Sequence, residues 1–241
     1  MSADLTQNAV WSSVSRFHDW RAGAFLERLF AAALAAKVIG PPEWMKLQDA
    51  EPNPAPPLSA ANFREVLLQC AKPADPTEVH VQLGGNRPHP WSSSWTIPAW
   101  DAEEQRVTGY AMINLRFPVA AAVPSAPLIE AFTNLYDPGN VEFAFIHPDR
   151  DWAFLKMTDY RSPLTYSPMF AGVFWANFLG PGHIEQFDIA ALEIPDVAVF
   201  RKTESSLLLI VSEDLADALD PAFRERIRAL TENFRAVKRR K

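Results

Sequence analysis

Apolar residues recur at three- and four-residue spacings in four segments of the chain, the pattern of amphipathic helices. The first segment runs from Ala22 to Lys37 and is expected to end near Gly40, where glycine permits a left-handed cap. The second begins at Ser59 and the third at Ser125. The fourth begins at Asp220-Pro221 and carries one clear apolar stripe.

Between these helices the period changes, and apolar residues alternate with polar ones, which predicts strands. The alternation is clearest over Val79–Leu83, Ala111–Phe117 and Val141–Phe145, and each segment is expected to be half-buried. A fully buried strand is expected within Phe170–Phe178. The apolar residues at either end of Val197–Val211 enclose a polar stretch and predict a hairpin with a longer loop.

Helices at both ends and one in the middle, with strands separated mostly by turns, predict an α+β fold with a mainly antiparallel sheet. We expect one domain over residues 1–241. The proline-rich stretch at 51–58 has no propensity for either element and is interpreted as a loop inside that domain. The chain closes on a basic tail at 238–241.

The composition is that of a globular protein, with 48% hydrophobic and 22% charged residues among 241. Cys70, expected on the buried face of the second helix, is the single cysteine, which excludes an intramolecular disulfide and any multi-cysteine metal site. Neither a secretory signal nor an apolar run of membrane-spanning length stands out. These features predict a cytoplasmic protein with no membrane contact.

The formal net charge is −6, and taking away the four cations of the tail at 238–241 leaves −10 on the remainder. Direct nucleic-acid binding without sequence preference needs a basic surface, so this balance weighs against it. An acidic body favours a basic protein partner, although the same charge also serves solubility.

No motif for phosphate binding, nucleophilic hydrolysis or paired-histidine zinc binding is present, and we expect no catalytic residue, no metal and no cofactor. The glycine-rich stretch at 180–182 is interpreted as a turn, because Glu185 follows where an anion would sit. The five histidines are interpreted as partly exposed loop or strand residues. A metal site or catalytic base assembled from His80, His147 and His183 stays open as an alternative.

Three of the eight tryptophans cluster in a proline-rich segment beside three carboxylates. In an interface for a basic partner, aromatic rings would anchor the contact and neighbouring carboxylates would steer the approach of the partner. The same residues would also suit a second core layer beneath a stiff loop. These residues are Trp91, Trp95, Trp100, Asp101, Glu103 and Glu104.

Four segments together resemble immunity protein family fifty-two, whose members are encoded beside restriction-endonuclease-fold toxins of polymorphic and type VI secretion systems. The segments are Trp20-Arg21 at the start of a helix, Trp44, Tyr136-Asp137-Pro138 at the end of another, and the aromatic stretch Gly172–Phe178. The likeness runs from about Trp11 to the end of the chain. It implies a cytoplasmic, non-enzymatic inhibitor that binds a cognate nuclease toxin, with no catalytic residues to carry over.

The resulting hypothesis is an immunity protein that occludes the active site or nucleic-acid groove of a basic nuclease toxin. The alternatives are a metal- or histidine-dependent enzyme and an adaptor of a secretion apparatus. The sequence leaves the oligomeric state open. The candidate contact residues are the three tryptophans and carboxylates expected in loops or turns, namely Asp101, Glu103, Glu104, Asp149, Asp151, Glu185 and Asp188.

Overall fold

The structure is a computed structural model that describes residues 7–16, 23–47, 53–54, 79–97, 100–101, 106–107, 110–136, 141–149 and 172–239. The predicted helix that begins at Ser59, with Cys70, lies outside these residues. So do Glu103, Glu104 and Asp151, three of the candidate contact residues.

The described residues form an α+β fold around a sheet of ten strands in which every neighbouring pair is antiparallel. The strand order is β11-β12-β10-β9-β1-β8-β5-β4-β2-β3, and β6 and β7 form a separate two-stranded ribbon. The fold class predicted from the sequence is therefore confirmed. The strands are β1 (Asn8–Arg16), β2 (Trp44–Leu47), β3 (Asn53–Pro54), β4 (Val79–Gly85), β5 (Trp91–Ile97), β6 (Trp100–Asp101), β7 (Arg106–Val107), β8 (Tyr110–Pro118), β9 (Val141–Pro148), β10 (Ala176–Leu179), β11 (Val199–Lys202) and β12 (Leu207–Ile210).

Four α-helices in the described ranges accompany the sheet. They are α1 (Gly23–Ala35), α2 (Ala126–Leu135), the single turn α3 (Pro181–Ile184) and α4 (Pro221–Ala236). Short 3₁₀ turns lie at Val119–Ala122, Ile189–Ala191 and Leu215–Leu219. The carboxylate of Asp220 caps α4 by accepting from Ala222 N at 2.8 Å, as the sequence predicts for this start.

The first strand of the described chain lies in the middle of the sheet. β1 pairs with β8 from Asn8↔Pro118 onward and with β9 from Ala9↔Pro148 onward. The apolar pattern does not predict this strand, because its alternation is broken by Val10 and Trp11, which are both buried. A central strand is covered on both faces, so it does not show the polar–apolar period of a half-exposed one.

One face of the sheet packs against α1 and α2. Phe25, Leu29 and Phe30 of α1 and Phe132 of α2 are fully buried there, and Phe132 lies 5.9 Å from the Trp11 ring. At the end of α2 the hydroxyl of Tyr136 accepts a hydrogen bond from Trp11 Nε1 and lies 2.6 Å from Ser13 Oγ. Burial raises the pKa of Tyr136, since the phenolate would lose its hydration. This cluster fixes α2 over the central strand.

We expect Tyr136→Phe to lower the free energy of unfolding by about 1–2 kcal/mol, because the buried Trp11 N–H loses its acceptor. Denaturant titration monitored by circular dichroism measures the loss. Thr133→Val on the same helix is the matched control, since the Thr133 hydroxyl is buried without a hydrogen-bond partner. Equal losses for the two variants would contradict the role given to the Tyr136 hydroxyl.

The opposite face at β9 and β10 is covered by Gly172–Trp175, α3 and α4. Phe174 stacks on Phe145 at 4.1 Å, and Val173 N donates to Thr231 Oγ1 of α4 at 3.0 Å. All eight residues of β9 are therefore buried, and the expected half-buried alternation over Val141–Phe145 is wrong. Among the described residues of the buried strand predicted over Phe170–Phe178, residues 176–178 belong to β10, and Val173, Phe174 and Trp175 before them are buried without being a strand.

The end of α1 also differs from the prediction. The left-handed residue is Lys37, with φ 59°, two residues past the helix, and it is not Gly40. Gly40 serves a different purpose, because a Cβ there would lie 1.9 Å from the carbonyl oxygen of Arg87. This glycine lets the chain after α1 pass close to the loop after β4.

Two connections predicted as irregular contain strands. Asn53–Pro54 of the proline-rich stretch pairs with β2, at the edge of the sheet where proline is tolerated. The segment with three tryptophans forms β5 and β6. The predicted hairpin is confirmed as β11 and β12, and its connection is shorter than expected, since Arg201 and Lys202 belong to β11.

Candidate functional site

Two grooves on the described surface are candidates for binding. The first, which we call the polar groove, lies on the sheet face opposite α1 and α2, beyond the part covered by α4. It has a volume of about 360 Å³ and is lined by residues of five strands and by the residue that follows β9. Cross-strand registers place Gln82 opposite Ser94, Ser94 opposite Asn114, and Ser92 opposite Arg116.

Aromatic and charged residues border the polar groove. A Cβ on Gly84 would lie 2.2 Å from the Trp44 ring, so this glycine lets the indole lie flat on the sheet. Arg116 forms an ion pair with Asp149, and both side chains are partly exposed. Because both side chains are partly exposed, a partner can reach them, and an exposed pair of this kind contributes only roughly 0–1 kcal/mol to stability. The Asn114 Oδ1 oxygen is buried without a hydrogen-bond partner.

The second groove, the α2–β11 groove, separates α2 from the edge strand β11 and has a volume of about 650 Å³. Its apolar lining includes Pro124, Ile129 and Val199. Its charged lining is Glu130, Glu213, Asp214 and Arg201, which is three carboxylates against one guanidinium.

A buried hydrogen-bond network holds one wall of the α2–β11 groove. Ser125 Oγ lies 3.1 Å from Asp214 Oδ1 and accepts from Leu215 N at 2.8 Å. Trp175 Nε1 lies 3.0 Å from Ser212 Oγ and 3.1 Å from the carbonyl oxygen of Asp214. Since Asp214 also accepts from Ala216 N, its carboxylate is fixed in place. The start of α2 and the segment after β12 are thereby joined.

The candidate carboxylates that the structure describes lie on different elements. Asp149 borders the polar groove, Asp101 lies in β6 and not in the expected loop, and Glu185 and Asp188 are exposed around α3. The basic tail pairs with the segment that carries Glu185 and Asp188. Phe187 and Lys238 form a β-bridge, and Arg239 N donates to Gln186 O at 2.7 Å. The backbone of the basic tail is therefore fixed next to the segment that carries Glu185 and Asp188.

Of the three candidate tryptophans, the two with described side chains belong to the core. Trp91 and Trp95 are 5% and 1% exposed, on the face of β5 that meets the helices, so they present no surface to a partner. Trp95 Nε1 donates to Ser93 Oγ at 2.7 Å. Trp100 pairs with Val107 in the β6–β7 ribbon.

The histidines proposed for an enzyme site are separated. His80 on β4 and His147 on β9 lie four strands apart, roughly 19 Å at the usual strand spacing. His147 and His183 are buried, and the expectation that they are partly exposed is wrong. Trp175 N donates to His147 Nδ1 at 3.2 Å, and the His183 ring stacks on Phe143 at 5.1 Å. Over the described ranges, no three histidine, cysteine or acidic side chains are grouped to hold a metal ion.

Burial lowers the pKa of His183 to about 4, and a hydrogen bond with the backbone of Glu142 opposes this shift. His183 is therefore neutral in the folded protein across the physiological range. Its place is structural, between α3 and β9.

Sequence reasoning missed the carboxylates of the α2–β11 groove. Glu130, Glu213 and Asp214 come from two distant segments, and the pairing of these segments through Ser125 has no local signature. The polar groove had a partial signal, because the alternation over Ala111–Phe117 places Asn114 and Arg116 on one face.

No protein-family model matches the sequence, and no curated protein matches it either. The resemblance to immunity protein family fifty-two therefore stays a prediction. Among solved structures, the fold is similar to that of "T6SS protein PA0821" of Pseudomonas aeruginosa, where T6SS denotes the type VI secretion system. The TM-score is 0.53 at 12% sequence identity, covering 95% of this chain and 77% of the other. This likeness shows a shared fold.

None of the helices in the described part of the chain combines the length and the apolar character needed to cross a membrane.

Proposed function

We propose that the protein is an immunity protein of a type VI secretion system, which binds a cognate secreted nuclease toxin and blocks its active site or nucleic-acid groove. The observation that carries the proposal is the fold similarity to the type VI secretion protein over 95% of the chain. The acidic balance of the chain supports it, since a nuclease carries a basic surface for its substrate. The resemblance found in the sequence points to the same function.

A toxin-neutralisation assay tests this function. The toxin candidate is the product of the open reading frame beside this gene, expressed in a bacterial host with and without the protein. We expect restored growth with the protein present and a one-to-one complex with a catalytically inactive form of the toxin. Titration calorimetry on that inactive form measures the stoichiometry and affinity. Growth arrest despite full expression, together with absence of a complex, would overturn the proposal.

The acidic candidates can be tested in the same complex. We expect the double variant Glu185→Lys, Asp188→Lys to slow association about tenfold if these carboxylates steer the toxin. The double variant Glu225→Lys, Glu232→Lys is matched in charge and replaces two exposed carboxylates of α4 outside the candidate set. Stopped-flow association rates at two salt concentrations measure the effect, and equal rates for both double variants would remove Glu185 and Asp188 from the interface.

A secretion-apparatus adaptor is the second candidate, because the similar structure is a secretion-system protein whose name specifies no inhibitory role. The assay separates the two functions. An adaptor would co-purify with apparatus subunits and would leave the growth defect unchanged.

A further inference from the structure

We propose that the α2–β11 groove binds an extended segment of the partner whose groove-facing side chains, at every second position, are apolar and basic, and that this segment adds a strand to the edge of the sheet at β11. The proposal rests on the proposed function, since the segment is assigned to the toxin. It is carried by three observations: an open strand edge, a groove beside that edge, and the charge of the groove.

The first observation is the open edge of the sheet. β11 ends the strand order, and in the described part of the chain it pairs only with β12. Its residues Phe200, Arg201 and Lys202 are exposed. Phe200, at 39% exposure, is one of two large apolar residues exposed in the described chain.

The register between β11 and β12 shows which backbone groups of β11 point away from β12. Thr203 N donates to Ser206 O at 2.9 Å, and antiparallel bonds recur at every second residue. Val199 and Arg201 therefore bond to β12, while the N–H and C=O groups of Phe200 and Lys202 point away from the sheet. An added strand would bond to these groups, as in known strand-addition complexes.

The second observation is the shape beside this edge. Val199 and Arg201 lie on the face towards α2, because their partners Ile210 and Leu208 continue to β10 on that side. Across the groove lie Ile129 and Thr133 of α2. Every second side chain of an added strand would point into this space of about 650 Å³. The apolar part of the lining suits an apolar side chain.

The third observation is the charge of the groove. Glu130 and Glu213 are exposed, and no ion pair with another described residue engages them. Together with Asp214 they leave the groove acidic despite Arg201, so a basic segment is favoured over an acidic one.

A second copy of this chain is the competing occupant of the edge. In the registers centred on Arg201 or on Lys202, antiparallel pairing of β11 with itself places that cation directly opposite its own copy, which destabilises a pair of strands. The register centred on Phe200 avoids this contact, so the oligomeric state of the wild type is part of the test. We assign the segment to a different protein because the carboxylates of the groove favour a basic partner.

The backbone part of the proposal is tested with Phe200→Pro in the complex with the inactive toxin. Proline removes the outward N–H of Phe200 without removing a bond to β12, so we expect binding at least about tenfold weaker. Phe200→Ala keeps the N–H and is the matched control, expected within about threefold of the wild type. Circular dichroism and thermal melting check that both variants are folded.

The groove is tested separately with Ile129→Arg and Glu213→Arg, which place positive charge where the basic segment would lie. We expect each to weaken binding at least about fivefold, while Glu193→Arg, an exposed charge reversal outside the groove, leaves it unchanged. Hydrogen exchange of the wild-type complex should show new protection at the amides of Phe200 and Lys202. These two readouts decide the proposal even if Phe200→Pro fails to fold.

Each outcome has a distinct meaning. Wild-type rescue and binding, with all groove and edge variants binding equally well and no protection at β11, would overturn the docking site and leave the proposed function standing. Absence of any wild-type complex would overturn both. A wild-type homodimer that Phe200→Pro converts to a monomer would show that the occupant is a second copy, and would also overturn the proposal.

Discussion

Trp175→Ala is expected to lower the free energy of unfolding by about 4 kcal/mol, the largest single effect among the variants considered. The side chain is fully buried, and its indole N–H lies within hydrogen-bond distance of Ser212 Oγ and of the carbonyl oxygen of Asp214. Truncation leaves a cavity and removes the donor at once. Since domains are stable by about 5–15 kcal/mol, this variant would keep about 1–11 kcal/mol and would be close to unfolding at the lower end of that range.

Trp175→Phe separates the two contributions. It keeps most of the ring volume and removes only the N–H, so we expect a loss of about 1–2 kcal/mol. Phe200→Ala, which truncates a partly exposed ring, should cost under about 1 kcal/mol. Urea unfolding of the three variants gives these differences. A loss below about 1 kcal/mol for Trp175→Ala would show that residues 212–214 are held by other contacts.

The second large effect is the dependence of stability on pH that His183 produces. Its pKa is about 4 in the folded protein and near 6.5 in the unfolded chain. Between these values the unfolded chain takes up a proton that the folded protein does not bind, so stability falls as the pH falls. The stability that depends on neutral His183 is fully present above about pH 6.5, and about 3 kcal/mol of it is lost by pH 4.

His183→Phe should remove this dependence, because a neutral ring would still stack on Phe143. The measured quantity is the difference in unfolding free energy between wild type and variant from pH 7 to pH 4, since carboxylates titrate alike in both. Thr133→Val, which changes no titratable group, is the control and should leave the slope unchanged. A titration by nuclear magnetic resonance that places the His183 pKa near 6.5 would contradict the expectation.

The local elements of this protein are readable from its sequence, whereas their partners are not. The helices beginning near Ala22, Ser125 and Asp220 follow from periodicity, and the start of the last one is also marked by the Asp220 cap. The hairpin of β11 and β12 follows from two apolar segments around a polar stretch. Each of these patterns lies within a segment of about 16 residues or fewer. The fold class follows from their order.

The strands at the centre of the sheet were harder to predict because burial on both faces erases the alternation. β1 was missed for this reason, and β9 was assigned the wrong burial pattern. The grooves were missed for a different reason. The carboxylates of Glu130 and Glu213 meet through contacts between distant segments, and neither residue is unusual in its own surroundings.

Whether the tryptophans belong to an interface or to the core depends on which face of β5 the helices cover. Trp91 and Trp95 are four residues apart and lie on one face of β5, which is the buried face. The sequence shows that they share a face once a strand is assumed, but not which side the helices cover. That side is set by α1 and α2 packing over β1.

The central place of β1 also bears on how the protein is made. Its two neighbours along the sheet are encoded roughly 100 and 140 residues later, so nearly all its hydrogen bonds close long loops. Topologies of this kind fold slowly. During synthesis at about 5–20 residues per second, β1 would wait several seconds before β9 leaves the ribosome, with its valine and tryptophan side chains unpartnered. A cell that relied on freshly made molecules would therefore gain the folded form only after the whole sheet had been translated.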